Sequence, residues 1–182
     1  MLVNILHRAK QLSLEGVALY ATPPLKHFLT TRITKKAFEN DLEHLSYFVQ
    51  LDDIDILASI KVWGSHPDKT LSLLCNGLMN RHLNQVEMSN EKPDEERLEN
   101  LKRAAVKHFD IPEKEVGYFI YSKTISNSAY QVGDGSIKIL MKNGTIKDIT
   151  QASDLSNLEV LSKKVKKYIV SFPKELRSKD LI

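Results

Sequence analysis

Apolar positions Leu2, Ile5, Leu6, Ala9 and Leu12 recur at three- and four-residue intervals, with Asn4, Arg8, Lys10 and Gln11 on the other side. This spacing predicts an amphipathic helix from residue 1 to about 20. Its start is unusual, because Met1-Leu2-Val3 enters the apolar pattern with no Ser, Thr, Asp or Asn ahead of it and no acidic first turn. A helix cut in its middle and a frayed native N-terminus both fit that start. Thr22-Pro23-Pro24 stops helical propagation, since proline lacks the amide donor and restricts the residue before it. Phe38, Leu42, Leu45 and Val49 predict a second helix opening near Thr34, and Asp52 with Asp55 three residues on predicts the cap of a third. In that third helix Ile54, Ile56, Leu57, Ile60 and Trp63 cover a broad arc, which predicts a place in the middle of the helical part and not on its rim. Gly64-Ser65-His66-Pro67-Asp68 ends this helix and starts the next, with Ser65 and Asp68 at capping-box spacing, and Leu71, Leu74, Cys75, Leu78 and His82 carry the periodicity on.

Near residue 84 the pattern changes. Asn84 to Pro93 is polar and turn-rich, and a helix then opens at Pro93-Asp94-Glu95-Glu96 with Lys102, Arg103, Lys107 and His108 in its last turns, matching the helix dipole at both ends. Beyond Pro112 the run Val116, Tyr118, Phe119, Ile120, Tyr121 predicts a strand. Ser136 to Met141 and Thr145 to Ile149 flank Asn143-Gly144, the pair suited to a tight two-residue hairpin turn. A short helix over 154–161 and a last strand, Val165 to Ser171, complete the pattern before Pro173. The expected fold class is α+β: a mainly helical lobe, residues 1–84, followed by a smaller α+β lobe, residues 85–182, with a short antiparallel sheet.

Composition narrows the class without naming a function. With 182 residues, 42% hydrophobic and 27% charged, the chain is ordinary globular material for one domain or two small ones, which excludes disorder and collagen-like repeats. It has no apolar run near the roughly 20 residues of a membrane span and no signal pattern, so a soluble cytoplasmic protein is expected, without a membrane partner. The single cysteine, Cys75, excludes an internal disulfide framework and a multi-thiolate metal site. A net charge of +3 is far from the basic excess of a dedicated nucleic-acid binder, so no nucleic-acid partner is expected.

Six histidines, His7, His27, His44, His66, His82 and His108, are scattered, with no two at the i, i+4 spacing that sets two imidazoles on one helix face for a metal. Asp52-Asp53-x-Asp55 lacks the glycine and terminal glutamate of a calcium loop and reads as helix capping. Cys75 lies on an apolar stripe beside Leu71 and Leu78, as a small buried hydrophobe does. Gly133 and Gly135 stand between strands and form no phosphate cradle. Lys163, Lys164, Lys166 and Lys167 around the last strand read as solvated or edge-protecting charges. Arg81, just past an apolar helix and next to His82, is a candidate anion ligand, because a guanidinium holds a phosphate bidentately; its default role is as the charge at a helix C-terminus.

The stretch from Leu51-Asp52-Asp53-Ile54-Asp55-Ile56 through Ser59-Ile60-Lys61-Val62-Trp63, then His66-Pro67-Asp68-Lys69-Thr70-Leu71-Ser72-Leu73-Leu74-Cys75 and Met79-Asn80-Arg81-His82-Leu83, resembles the C-terminal half of bacterial HD-domain phosphohydrolases. These are relatives of the deoxynucleoside triphosphate triphosphohydrolases, including the vertebrate SAM-and-HD-domain enzyme. The resemblance continues through Ile125-Ser126-Asn127-Ser128-Ala129-Tyr130, Lys147-Asp148-Ile149 and Ala152-Ser153-Asp154, and so covers nearly the whole chain. It implies a parent enzyme whose divalent metal is held by a histidine, an adjacent His-Asp pair and a distant aspartate. This chain has no His-Asp dipeptide. By the resemblance, the metal core lies N-terminal to the helix that Met1-Leu2-Val3 enters, which favours a truncated N-terminus and a missing N-terminal HD lobe as partner.

The same resemblance implies a homo-oligomer, in some relatives with activator nucleotides between subunits, and places Arg81 at a nucleotide-contacting position. Asn84-Gln85 stand where relatives have Phe-Lys, a departure that removes a cation and an aromatic. The function expected is therefore a non-catalytic C-terminal portion of an HD-family metal-dependent phosphohydrolase, whose parent converts a dNTP to deoxynucleoside and triphosphate. This portion would serve packing, oligomerisation and nucleotide control, with no catalytic or metal-ligating residue of its own and no cofactor in this chain. The competing expectation is a free-standing protein-interaction module without nucleotide chemistry.

Overall fold

Leu2–Leu14 forms the first helix, α1, which buries Ile5, Ala9 and Leu12 together with Arg8, a residue expected on the polar side and turned inward by its carboxylate partners. The structure, a computed structural model, describes residues 1–127, 137–149 and 165–177. α1 ends earlier than expected because Gly16 takes a left-handed conformation, φ +89°, in which the Gly16 N–H bonds Ser13 O at 3.2 Å and the Val17 N–H bonds Leu12 O at 2.9 Å. The two prolines then open a helix, α2 (Pro23–Thr30), that the expectation of a simple stop had missed. In the first turn the missing amide N–H has no intrahelical partner to lose. Lys10 Nζ closes the far end of α2, donating to Phe28 O at 2.6 Å and Thr31 O at 2.8 Å.

The single helix expected from Thr34 is two, α3 (Lys35–Asn40) and α4 (Leu42–Gln50), because Asp41 is extended, φ −126° and ψ 109°, and its carboxylate accepts the Glu43 N–H that starts α4. Thr34, near the expected start, caps α3 by accepting the Ala37 N–H. α5 (Asp53–Trp63) has the expected capping box, with Asp52 accepting from Ile54 N–H and Asp55 N–H while Asp55 accepts from Asp52 N–H. Its packed side carries Ser59, Ile60 and Trp63, and the Trp63 indole N–H donates to Tyr20 O at 2.8 Å. The expected central position for α5 does not hold within the described residues, since Ile54 on its other side is 73% exposed. α6 (Lys69–Met79) is capped by Asp68, which accepts the Leu71 N–H, and not by Ser65.

The chain is α+β. After α6 come β1 (Gln85–Ser89), in a stretch expected only to turn, and α7 (Glu95–Phe109), acidic in its first turn and basic in its last. The strand expected from Val116 begins later: Glu113–Tyr118 is a 3-10 turn, and β2 is Tyr121–Asn127. β3 (Lys138–Leu140) and β4 (Ile146–Asp148) form the expected antiparallel hairpin. Its loop has three residues, Lys142 to Gly144, because only Gly144 has positive φ, +80°, and its N–H closes a turn on Met141 O. A two-residue turn of the primed type requires positive φ at both positions. β5 (Val165–Phe172) lies between β1 and β2 in a three-stranded antiparallel sheet, so Lys166 and Lys167 sit on a central strand and for these two the edge-protecting reading fails, while the solvated one holds for the exposed Lys166. Lys163, Lys164, the expected helix over 154–161, Gly133 and Gly135 lie outside the described residues.

Two compact units result, and both are discontinuous in sequence. One comprises residues 1–86, 95–121 and 171–182 and so joins α7, the 3-10 turn and the end of β5 to the first six helices; the other comprises residues 87–94 and 122–170. Contacts, rather than the composition break at residue 84, set this division.

A buried charge cluster ties the first unit together. Arg8, 6% exposed, donates from Nε and Nη2 to the two Asp68 carboxylate oxygens at 3.1 and 2.5 Å, and from Nη2 to Glu115 Oε1 at 2.9 Å. Thr70 Oγ1 donates to the other Glu115 oxygen at 2.6 Å, and Gln11 Oε1 accepts from both Arg8 Nη1 and the Tyr118 hydroxyl. Burial works to raise the Asp68 carboxyl, but the Arg8 hydrogen bonds, the Leu71 N–H and the charges of Arg8 and His66 outweigh it, and the net shift is downward.

Removing one partner from such a cluster strands a buried charge, so Arg8→Met is expected to lower unfolding free energy by about 3–5 kcal/mol in urea titration. Because the folded Asp68 carboxyl titrates below its unfolded value, its contribution is complete above about pH 4 and is lost as pH falls through the lower folded value. Asp68→Asn should therefore flatten the acid limb of stability against pH; an acid limb identical to wild type would show that Asp68 does not contribute in this way.

Candidate functional site

Arg81 stands at the left-handed residue that terminates α6, with φ +60°. The Arg81 N–H bonds Leu78 O at 3.2 Å and the His82 N–H bonds Gly77 O at 2.8 Å, the paired bonds of a Schellman helix end. The same backbone reversal ends α1 at Gly16 and α7 at Asp110, φ +49°. Glycine meets no Cβ penalty there, and a short Asp side chain tolerates the conformation. Asp110 moreover holds Lys69 Nζ at 2.8 Å, a contact that depresses its carboxyl. Arginine at this position has neither excuse, and among the described residues no hydrogen bond or ion pair engages its guanidinium. A backbone outlier of this kind points toward a role for the side chain.

The Arg81 side chain borders a groove of about 450 Å³ whose other lining residues are Leu2 of α1, Asp53, Ile56 and Leu57 of α5, and Leu78 and Met79 of α6. The arrangement is an apolar trough carrying one acidic and one basic group, both usable for recognition. It contains no nucleophile, no general base next to one, and no set of metal ligands. Among the described residues no three His, Cys, Asp or Glu side chains converge as a metal would require, so the residues present do not fit the divalent ion that the family resemblance implies for the parent.

The remaining candidates have structural positions. Asp52 and Asp55 are engaged in capping α5. Cys75 is fully buried in α6, and desolvation pushes its thiol up to about 12, a value that leaves almost no thiolate near neutral pH. Asn84 donates to Phe119 O and Ser171 Oγ, both at 3.1 Å, and so holds the chain that follows α6. Packing brings together one pair that one-dimensional spacing could not reveal: His27 Nε2 on α2 lies 2.9 Å from His44 Nδ1 on α4, with the Tyr47 ring stacked on His27 at 4.2 Å between centroids. No sequence signal links these two histidines, which are seventeen positions apart.

No protein-family model matches the chain. It is similar to a crystal structure of a phosphohydrolase from Bacteroides thetaiotaomicron VPI-5482, with 42% identity and a TM-score of 0.81 over 95% of this chain and 43% of that one. The chain has a phosphohydrolase-like fold. It is also 29% identical over 183 residues to the uncharacterized protein YwfO of Bacillus subtilis (strain 168), a match covering 97% of this chain and 39% of the relative. The chain thus spans about two fifths of the length of the proteins it matches. No helix among the described residues is long and apolar enough to cross a membrane.

Two measurements follow from this geometry. Arg81→Gly removes the Cβ clash at φ +60° and is expected to raise stability by about 1 kcal/mol in thermal unfolding; a loss of stability would mean that the side chain itself holds the helix end. Cys75 should resist iodoacetamide at pH 8 in the native protein and react fully in denaturant, and rapid alkylation under native conditions would contradict its burial.

Proposed function

We propose that this chain is the non-catalytic C-terminal portion of an HD-family, metal-dependent nucleotide phosphohydrolase, serving packing, oligomerisation and nucleotide control of an enzyme that hydrolyses a dNTP to deoxynucleoside and triphosphate. The observation that carries this reading is the close structural match, at 42% identity, to less than half of a phosphohydrolase. The absence of a His-Asp dipeptide supports assigning the ion and the chemistry to a different part of the parent. Arg81, exposed and strained in a left-handed conformation, is the residue proposed to meet a nucleotide phosphate, where a planar fork gives two parallel charge-assisted bonds.

Incubated with deoxynucleoside triphosphates and Mn²⁺, the chain alone should release no triphosphate. A chimera in which it replaces the matched span of the Bacteroides phosphohydrolase should release it. A folded chimera that hydrolyses no dNTP would sink the proposed reaction, and release by the isolated chain that is lost on mutating one of its own residues would sink the non-catalytic assignment. In the active chimera, Arg81→Lys keeps the charge and loses the fork, so nucleotide binding measured by calorimetry should fall with lysine as well as with alanine. Unchanged binding in both variants would remove Arg81 from the site.

A further inference from the structure

The outward side of α5 does not look like the surface of a finished domain. Its packed side already buries Ile60 and Trp63, yet Ile54 and Leu57 face away, and the neighbouring α4 buries no residue while leaving Leu42, Phe48 and Val49 largely exposed. Scattered exposed apolar residues are ordinary, but a helix apolar around most of its circumference is the mark of an interior helix. Beside it runs the groove between α1, α5 and α6, where Leu2, Ile56, Leu57, Leu78 and Met79 supply an apolar floor and Asp53 and Arg81 the only charges. Contiguous apolar surface of this kind marks a contact.

We propose that this surface, the outward side of α5 with the adjoining groove, docks the polypeptide that the phosphohydrolase relatives carry outside the span matched here. Two observations select that occupant. The fold is shared with the Bacteroides protein at a TM-score of 0.81, and the matched span is under half of that chain, so in the relative equivalent helices belong to a polypeptide more than twice as long. The chemistry agrees, because interfaces between separately stable proteins are on the whole no more apolar than ordinary surface, whereas a core cut open exposes helices like α5. A second copy of this chain is the alternative occupant. The proposal rests on the reading of the chain as a portion of a phosphohydrolase, but it needs no particular substrate.

The test co-expresses the tagged 182-residue chain with the part of the Bacteroides phosphohydrolase outside the matched span and examines the product by affinity capture and sedimentation. A 1:1 complex is expected. Leu57→Glu, at a half-exposed position where the chain's own Tm should not change, is expected to weaken the complex at least about tenfold, as burying a carboxylate in an apolar contact does. Leu140→Glu, on the exposed side of β3, should leave it intact. If the added portion is insoluble alone, the single-chain chimera gives the same answer, because there Leu57→Glu should lower Tm well beyond its effect in the isolated chain. Three results would overturn the proposal: no complex with a soluble partner, equal Tm effects in chimera and isolated chain, or a homodimer of this chain that Leu57→Glu dissociates. A chimera inert toward dNTPs but destabilised by Leu57→Glu would leave the docking surface standing and reject only the proposed reaction.

Discussion

A guanidinium taken out of water has to be met by carboxylates, and in this protein that requirement organises the larger unit. Arg8 lies on the buried side of α1, where the helical period would otherwise place an apolar residue, and its partners come from positions sixty and more than a hundred residues away. Asp68 serves twice, pairing with Arg8 and accepting the Leu71 N–H that starts α6. Glu115 serves twice as well, taking Arg8 on one oxygen and Thr70 on the other. The cluster therefore fixes the register of α1 against the start of α6 and against the 3-10 turn after α7, a specification that apolar packing alone would leave looser. Tyr118 and Gln11 complete it by occupying the remaining edge.

Around that cluster, helix ends carry much of the local information. Three helices close with the same left-handed reversal, and the residue at the reversal differs in kind each time: Gly16, Asp110 and Arg81. The first satisfies the backbone and nothing else, and the second also pairs with Lys69. The third places a long cation at the edge of an apolar groove at a conformational cost of about 1–2 kcal/mol. A stable helix end is available at lower cost with glycine, so the groove beside Arg81 is where structure and economy of folding part company.

The same groove adjoins α5, whose capping box and apolar arc are those of a strongly specified helix and whose outer side nonetheless leaves Ile54 largely and Leu57 half exposed. The likeness to a protein more than twice as long is what motivates the proposal that this exposed side is covered by further polypeptide, since a helix apolar on a broad arc has the composition of an interior element. Recognition, assembly and control are functions that such a surface can carry, and among the described residues no three His, Cys, Asp or Glu side chains converge as a metal ion would require.

Much of the fold was readable from local rules, and the reasons are local. The spacing of Leu2, Ile5, Ala9 and Leu12, the Asp52–Asp55 cap and the charge-segregated α7 each declare a helix within a few residues of chain, and the alternation about Asn143-Gly144 declares a hairpin. Errors fell where two local rules compete. Pro23 and Pro24 both break and begin helices, and only the packing of Leu25 and Leu29 decides in favour of α2. Asp41 carries a capping side chain inside an unbroken apolar period. A three-residue loop and a two-residue loop share the same glycine.

By itself the sequence determined that α1, α5, α6, α7 and the β3–β4 hairpin form and that Cys75 is buried. Tertiary structure alone decided what Arg8 is, because neither Asp68 nor Glu115 announces its partner along the chain. It also decided that His27 meets His44, that β5 is a central strand, and that the outer side of α5 stays open. The physical reason is common to all four: helix and strand signals are encoded between residues a few positions apart, whereas ion pairs, strand order and exposure depend on which distant surfaces the folded chain brings together.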